Sequence, residues 1–362
     1  MSWIGVTYLV RSDARAIEAR ALDIAVEQSV EMPVAAITDK HVLSDIVGKV
    51  EAIEDRGGGV FAVSIKLAAA TAGEDAGQLL NMLFGNTSLH DDVVLHDVAL
   101  PDDLLKHYSG PNAGLAGLRR QVGAEGRALT CSALKPQGLP ASELAALAGR
   151  LARGGIDFIK DDHGLADQRY SPFVARVEAC AEAAREASRA AGHITCYVPS
   201  LSGHLDQLHS QMAVVRGAGV TTVMVSPMIA GVSNVCALVR ENPDIAFLFH
   251  PTLAGSRIAP PLMAKLFRLL GADGVIFPSF GGRFGYSPET CRQLADEALR
   301  PWHKFAPAVP VPAGGMTLER VPELLDFYGR DVMLLIGGSL LSARERLIEE
   351  TAHFTKAVAG HK

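Results

Sequence analysis

The sequence predicts an α/β protein in two parts. Residues 1–122 form an N-terminal α+β domain of the ferredoxin-like kind, and residues 123–362 form a C-terminal (β/α)8 TIM barrel. Three observations predict this. Eight short apolar runs succeed one another at 128–134, 157–159, 194–198, 221–225, 245–249, 274–277, 308–311 and 333–336. Helix-like stretches lie between them, at 141–152, 173–190, 205–218, 261–270, 287–299 and 318–327. Eight such alternations in roughly 240 residues match the size of a (β/α)8 barrel. The first 120 residues instead mix strands and helices without that rhythm. A doubly wound open sheet is the alternative, but eight units and the lack of a GxGxxG fingerprint count against it.

Within the first part, 4–10 reads as a strand and 13–27, rich in Ala and Glu, as a helix. A second strand, 60–67, follows the turn Arg56-Gly57-Gly58-Gly59. A helix over 74–84 and a strand over 93–99, stopped by Pro101, complete it.

Composition excludes several function classes. The chain has 362 residues, is 48% hydrophobic and 20% charged, and carries a net charge of −6. That is a globular composition with a large core and no basic footprint for nucleic acid. The apolar segment near the start is too short for a membrane helix and reads as a first strand. Five cysteines, an odd number with no CxxC spacing, suit reduced thiols in a cytoplasmic enzyme.

In a barrel, catalytic groups follow the strands. After the first run comes Lys135-Pro136-Gln137-Gly138, whose lysine is a candidate acid or base. After the second come Lys160-Asp161-Asp162-His163, ionisable groups at the end of an apolar strand, where unpaired charge is costly. His250 ends the fifth run; a core histidine and a site histidine are equal readings there. The sixth leads into Pro278-Ser279-Phe280-Gly281-Gly282-Arg283-Phe284-Gly285, a glycine-rich loop bearing a cation. Gly314-Gly315 and Gly337-Gly338 follow the seventh and eighth, where backbone N–H groups commonly hold a phosphate. A barrel enzyme for a phosphorylated small molecule is the expected class. Asp273 and His193 precede their strands, at the end of the barrel concerned with stability.

Several segments resemble the large subunit of ribulose bisphosphate carboxylase. Gly154-Gly155-Ile156-Asp157-Phe158-Ile159-Lys160-Asp161-Asp162 is similar to the family's GGxDFxKDDE segment, and Lys135-Pro136-Gln137-Gly138 to its KPKxG segment. Gly85-Asn86 with 93–101, and Ser109-Gly110-Pro111, look like N-terminal-domain motifs of the family. Pro310-Val311-Pro312-Ala313-Gly314-Gly315 and Ile336-Gly337-Gly338 look like its two phosphate-gripping segments. The resemblance runs in order over nearly the whole chain. The departures are His163 for the carboxylases' glutamate, Gln137 for a second lysine, Met32-Pro33 for a Thr-Trp pair, Arg283 for the mobile-loop lysine and Pro251 for an arginine. These argue against carboxylation of a bisphosphate, and the chain is identified as a RuBisCO-like protein.

The resemblance implies a carbamylated Lys160 that, with Asp162 and His163, holds Mg²⁺; an oxygen donor suits that hard cation, while a nitrogen donor is less usual. It implies enolisation of a phosphorylated ketose, with Lys135 or the carbamate moving the proton alpha to the ketone, and His250 and Arg283 at the site. Gly314, Gly315, Gly337 and Gly338 would hold the phosphate. It further implies a homodimer whose active site lies at the subunit interface, with Glu27 and Asn86 entering from the partner. Among RuBisCO-like reactions, isomerisation of 5-methylthioribulose 1-phosphate in methionine salvage is expected first. Decarboxylation or transcarboxylation of 3-oxo-isoapionate 4-phosphate, and enolisation of 2,3-diketo-5-methylthiopentyl 1-phosphate, are the alternatives. A phosphometabolite-binding protein without catalysis is the non-enzyme alternative.

Overall fold

The computed structural model describes residues 2–255 and 257–361 and divides into two compact units. The first holds residues up to Tyr108 together with Ala254–Met263. It is built on a four-stranded antiparallel sheet of β1 (Trp3–Arg11), β2 (Lys49–Asp55), β3 (Val60–Ala68) and β4 (Val93–Ala99), in the order β2-β3-β1-β4. With helices Ile17–Glu27 and Ala76–Phe84 this is the βαββαβ arrangement of a ferredoxin-like domain. Along β1 the period of two buries Ile4, Val6, Tyr8 and Val10. Asp75 caps the second helix by accepting the Gln78 N–H at 2.8 Å.

Sequence reading missed β2. Its residues, KVEAIED, include none that is buried, and a register shift interrupts the pairing between Val50 and Ala52. An edge strand with charges on it carries little alternation to detect.

The second unit holds Ser109–Leu253 and Ala264–Lys362 and contains nine strands: β5 (Leu129–Leu134), β6 (Phe158–Asp161), β7 (Cys196–Val198), β8 (Ser200–Leu201), β9 (Thr222–Val225), β10 (Ala246–Phe249), β11 (Gly274–Pro278), β12 (Val309–Ala313) and β13 (Met333–Leu335). All pair in parallel, in the orders β13-β5-β6-β7 and β8-β9-β10-β11-β12. β7 and β8 are one barrel strand interrupted at Pro199, which has no N–H to give to the ladder. Its carbonyl still accepts the Met224 N–H at 2.9 Å. β12 and β13 lie side by side, completing the eight-stranded barrel. Each of the eight expected runs carries one of these barrel strands, with ends shifted by a residue or two.

Residues 109–122 and 254–263 divide differently from the expected boundary after residue 122. Helix Gly114–Val122 belongs with the barrel, because the Ala113 and Gly114 N–H groups both donate to the Asp273 carboxylate at 2.6 Å. The segment around Ile258 belongs with the first unit, because it pairs with β4 through Leu95 N–H to Arg257 O and Ala259 N–H to Leu95 O. Sequence reading also left the helices Val232–Glu241 and Leu347–Gly360 unassigned.

Alternate residues fill the barrel interior, among them Leu129, Cys131 and Ala133 of β5, Phe158 of β6, and Val309 and Val311 of β12. The glycine pair before β6 has two separate causes. A Cβ at Gly154 would sit 2.4 Å from the Thr351 Cβ on the C-terminal helix, and Gly155 has φ +84°.

Candidate active site

The period of two along β6 sorts its ionisable residues. Phe158 points into the barrel core, so Lys160 lies on the same inward face at the strand's C-terminal end, while Asp161 faces the surrounding helices. Lys160 is buried, and its Nζ donates to the Asp161 carbonyl at 2.6 Å. Burial pulls its ammonium below the ordinary lysine value, more than the charges of Asp162 and Asp161 restore it. Asp162 is buried too. Its Oδ1 accepts from Lys135 Nζ at 2.5 Å and lies 3.3 Å from His163 Nδ1. Burial opposes its ionisation, yet the contacts to His163 and Lys135 outweigh that and hold the carboxyl well below its ordinary range.

His163 stacks on His250, with ring centroids 4.6 Å apart and 6° between planes. Thr252 Oγ1 holds His250 Nδ1 at 2.6 Å. Burial first, then the charge on Lys160, pushes the His250 imidazole down to about 3, so it is neutral near pH 7. Lys135, Asp162, His163 and His250 thus form one chain of contacts across the ends of β5, β6 and β10, next in sequence to buried Lys160.

A pH prediction arises here. The folded value for His250 is below its unfolded value, so its contribution is full above about pH 6.5 and is lost as pH falls toward 3. In chelated, bicarbonate-free buffer, acidification from pH 7 to pH 5 is expected to cost about 2 kcal/mol through this group. Urea unfolding of the parent and of His250→Asn checks this; the parent should lose that much more than the variant between the two pH values.

The other expected residues lie apart. Arg283 is exposed in the loop after β11, its guanidinium over the Phe284 ring at 4.9 Å. Gly314 and Gly315 have φ of +88° and +106° and pack closely on that same loop. A Cβ on Gly314 would meet the Phe284 ring at 3.0 Å, one on Gly282 would meet the Gly314 oxygen at 2.3 Å, and Arg283 N–H donates to that oxygen at 3.1 Å. The positive φ at 314 favours glycine there, and the backbone contact to the Gly314 oxygen requires it at 282, whatever else binds. Gly337 and Gly338 lie at the start of a four-residue helix, Gly338–Leu341. Glu27 and Asn86 are together in the first unit, where Asn86 Nδ2 donates to Glu27 Oε1 at 2.8 Å and to Glu31 Oε1 at 3.0 Å. Glu31 was not marked by sequence reading; it sits four residues from Glu27, with φ +53°.

Two more residues escaped the sequence. Arg176 and Tyr197 both bind the Asp161 carboxylate, and neither lies in a motif. Only the inward–outward alternation of β6 hinted that Asp161 needs partners outside the barrel. A cleft of about 420 Å³ at the other ends of β7 and β9, lined by His193, Cys196 and Arg185 among others, includes none of the candidate groups.

Among the described residues no group of three or more His, Cys, Asp and Glu could hold a metal ion. An oxygen donor on Lys160 would add one ligand beside Asp162 and His163. The surroundings suit one: the lysine is buried, with its ammonium form disfavoured, and the adjacent Asp162 carboxylate already binds a cation, Lys135.

Fold and site define a barrel protein of the ribulose bisphosphate carboxylase large-chain family. Residues 114–343 match the model described as "Ribulose bisphosphate carboxylase large chain, catalytic domain", and the chain belongs to that family. Within it the chain is a RuBisCO-like protein. It is 61% identical over 357 residues to a 5-methylthioribulose-1-phosphate isomerase of Rhodospirillum rubrum, covering 98% of this chain and 96% of the relative. It is 32% identical over 278 residues to a 2,3-diketo-5-methylthiopentyl-1-phosphate enolase of Geobacillus thermodenitrificans, covering 74% of this chain and 67% of the relative. The crystal structure of a Rubisco-like protein from Rhodopseudomonas palustris superposes with a TM-score of 0.93 at 50% identity, covering 99% of this chain and 98% of that one.

Proposed function

We propose that this chain isomerises 5-methylthioribulose 1-phosphate by proton transfers through an enediolate. The observation that carries the reading is the contact chain Lys135–Asp162–His163–His250 beside buried Lys160 at the strand ends. The 61% identity to the Rhodospirillum rubrum isomerase, against 32% to the enolase, supports the choice of reaction.

Family membership generally implies Mg²⁺ with a carbamylated lysine. Here the neutral Lys160 amine, favoured by burial, would add carbon dioxide and release a proton; the carbamate with Asp162 and His163 would hold the cation. When bound, that cation supplies polarisation of the ketone. With the cation in place of its ammonium on Asp162, Lys135 acts as the neutral amine: it takes the proton from the carbon alpha to the ketone and returns it to the former carbonyl carbon. His250, neutral at pH 7 and fixed by Thr252, moves the hydroxyl proton, so the carbonyl shifts along the chain without an external oxidant. Gly314, Gly315, Gly337 and Gly338 hold the phosphate, and Arg283 in the loop after β11 closes over the substrate.

The exposed Glu27–Asn86–Glu31 cluster supports a homodimer in which Glu27 and Asn86 complete the partner's site. Among the described residues, no helix is long and apolar enough to cross a membrane. All five cysteines are free thiols, which supports a reducing, cytoplasmic location.

The test is proton and phosphorus NMR in D2O with Mg²⁺ and bicarbonate. Expected are conversion of 5-methylthioribulose 1-phosphate to an isomer, deuterium uptake alpha to the ketone, and a loss of about 10²–10⁴-fold in Lys135→Ala. Turnover of 2,3-diketo-5-methylthiopentyl 1-phosphate with none of the ketose would overturn the assignment.

A further inference from the structure

Asp161 sits between the inward-facing Lys160 and Asp162, and it is wholly buried. Each of its oxygens is engaged. Oδ1 accepts the Tyr197 hydroxyl at 2.7 Å; Oδ2 accepts Arg176 Nε at 3.0 Å and the Ser200 N–H at 3.1 Å. Arg176, on helix Phe173–Ala191, is fully buried as well. Its other nitrogens donate to the Ser171 and Ala166 carbonyls at 2.7 Å each, in the loop that leaves His163. One guanidinium therefore fastens three things: the end of β6, the loop beyond it and, through Asp161, the interrupted strand at Ser200.

Burying such an ion pair is not a gain in stability by itself, since desolvation offsets the attraction. What the pair does achieve is geometric. The backbone of residue 161 carries Lys160 on one side and Asp162 on the other, and its own carbonyl receives the Lys160 amine. With the side chain of 161 locked from outside, neither neighbour can rotate out of the barrel without breaking several buried hydrogen bonds.

We propose that Arg176 and Tyr197 are positioning residues: acting through Asp161, they aim Lys160 and Asp162 so that the two side chains can share one divalent cation. The inference rests on the metal reading of the preceding subsection. Partners of this kind, one contact removed from the metal, typically change metal affinity 10–100-fold when removed.

The probe is Mn²⁺ binding to the intact protein in bicarbonate buffer, read by electron paramagnetic resonance, alongside thermal unfolding. Tyr197→Phe removes one hydrogen bond and keeps the ring; Arg176→Lys keeps the charge and loses the fork. Arg268→Lys is the control, because Arg268 is equally buried but donates to the Ala306, Arg300 and Phe305 carbonyls, away from the site. Mn²⁺ affinity is expected to fall at least about tenfold in Tyr197→Phe and Arg176→Lys, and to stay within twofold in Arg268→Lys. Should Arg176→Lys not fold, Tyr197→Phe decides. Affinity within twofold of the parent in Tyr197→Phe, with only the melting temperature lowered, overturns the inference. If the parent takes up no Mn²⁺, the metal reading of the preceding subsection falls, and the inference falls with it.

Discussion

Replacing Lys160 with methionine is expected to lower isomerisation by at least about 10³-fold while leaving the protein folded and more resistant to heat. The two effects have one origin. The Lys160 amine is enclosed at the end of β6 and donates to one carbonyl, that of Asp161. An ammonium with so few partners in a low-dielectric site is costly, which is why burial pulls its proton affinity down. Methionine fills a similar volume against Cys131 and the barrel interior without that cost. A binding protein that merely used the barrel as a scaffold would have no reason to keep the lysine; an enzyme that needs a neutral amine has one. The measurements are kcat/KM from the NMR assay and the melting temperature by circular dichroism. Retained activity would remove Lys160 from the site, and a lower melting temperature would show that its amine stabilises the fold.

The barrel was legible because parallel strands buried on both faces read as apolar runs, and their C-terminal ends read as abrupt changes to polar residues. That same rule located Lys135, Lys160, Asp162, His163 and His250; the fold joins Lys135, Asp162, His163 and His250 by contact and buries Lys160 beside them. Less was legible where the signal lay outside a strand end. β2 is a charged edge strand with no buried face, so its seven residues carry no clear alternation. Arg176 looks like any arginine on an Ala- and Glu-rich helix; only the fold reveals that it is fully buried against Asp161. The Gly314-Gly315 pair suggested a phosphate grip, and the structure adds a second demand on it, close packing against Gly282 and Phe284. Two physical causes can give the same residue, and sequence alone does not separate them.

Asp273→Asn is expected to destabilise the protein by about 1–3 kcal/mol at pH 8, without a change in Mn²⁺ affinity. Asp273 precedes β11, at the end of the barrel opposite the site, and is completely buried. Its Oδ1 accepts the Ala113 and Gly114 N–H groups, both at 2.6 Å, and its Oδ2 accepts the Phe247 N–H at 2.7 Å. The carboxylate therefore ties the start of helix Gly114–Val122 to β10. Its backbone also continues the ladder, donating to the Phe247 carbonyl at 2.8 Å and accepting the Val309 N–H at 2.7 Å. Burial pushes the carboxyl up to about 6, against the pull of the surrounding backbone N–H donors, so pH 8 keeps it ionised. An asparagine has one oxygen for these three donors. Its amide NH2 must face at least one N–H head-on, leaving a buried backbone donor without a partner, and each such loss costs about 1–3 kcal/mol. Urea unfolding followed by circular dichroism measures the difference. A loss below about 1 kcal/mol would mean that helix Gly114–Val122 is held to the barrel by its apolar contacts, Leu115, Leu118 and Val122, rather than by this carboxylate.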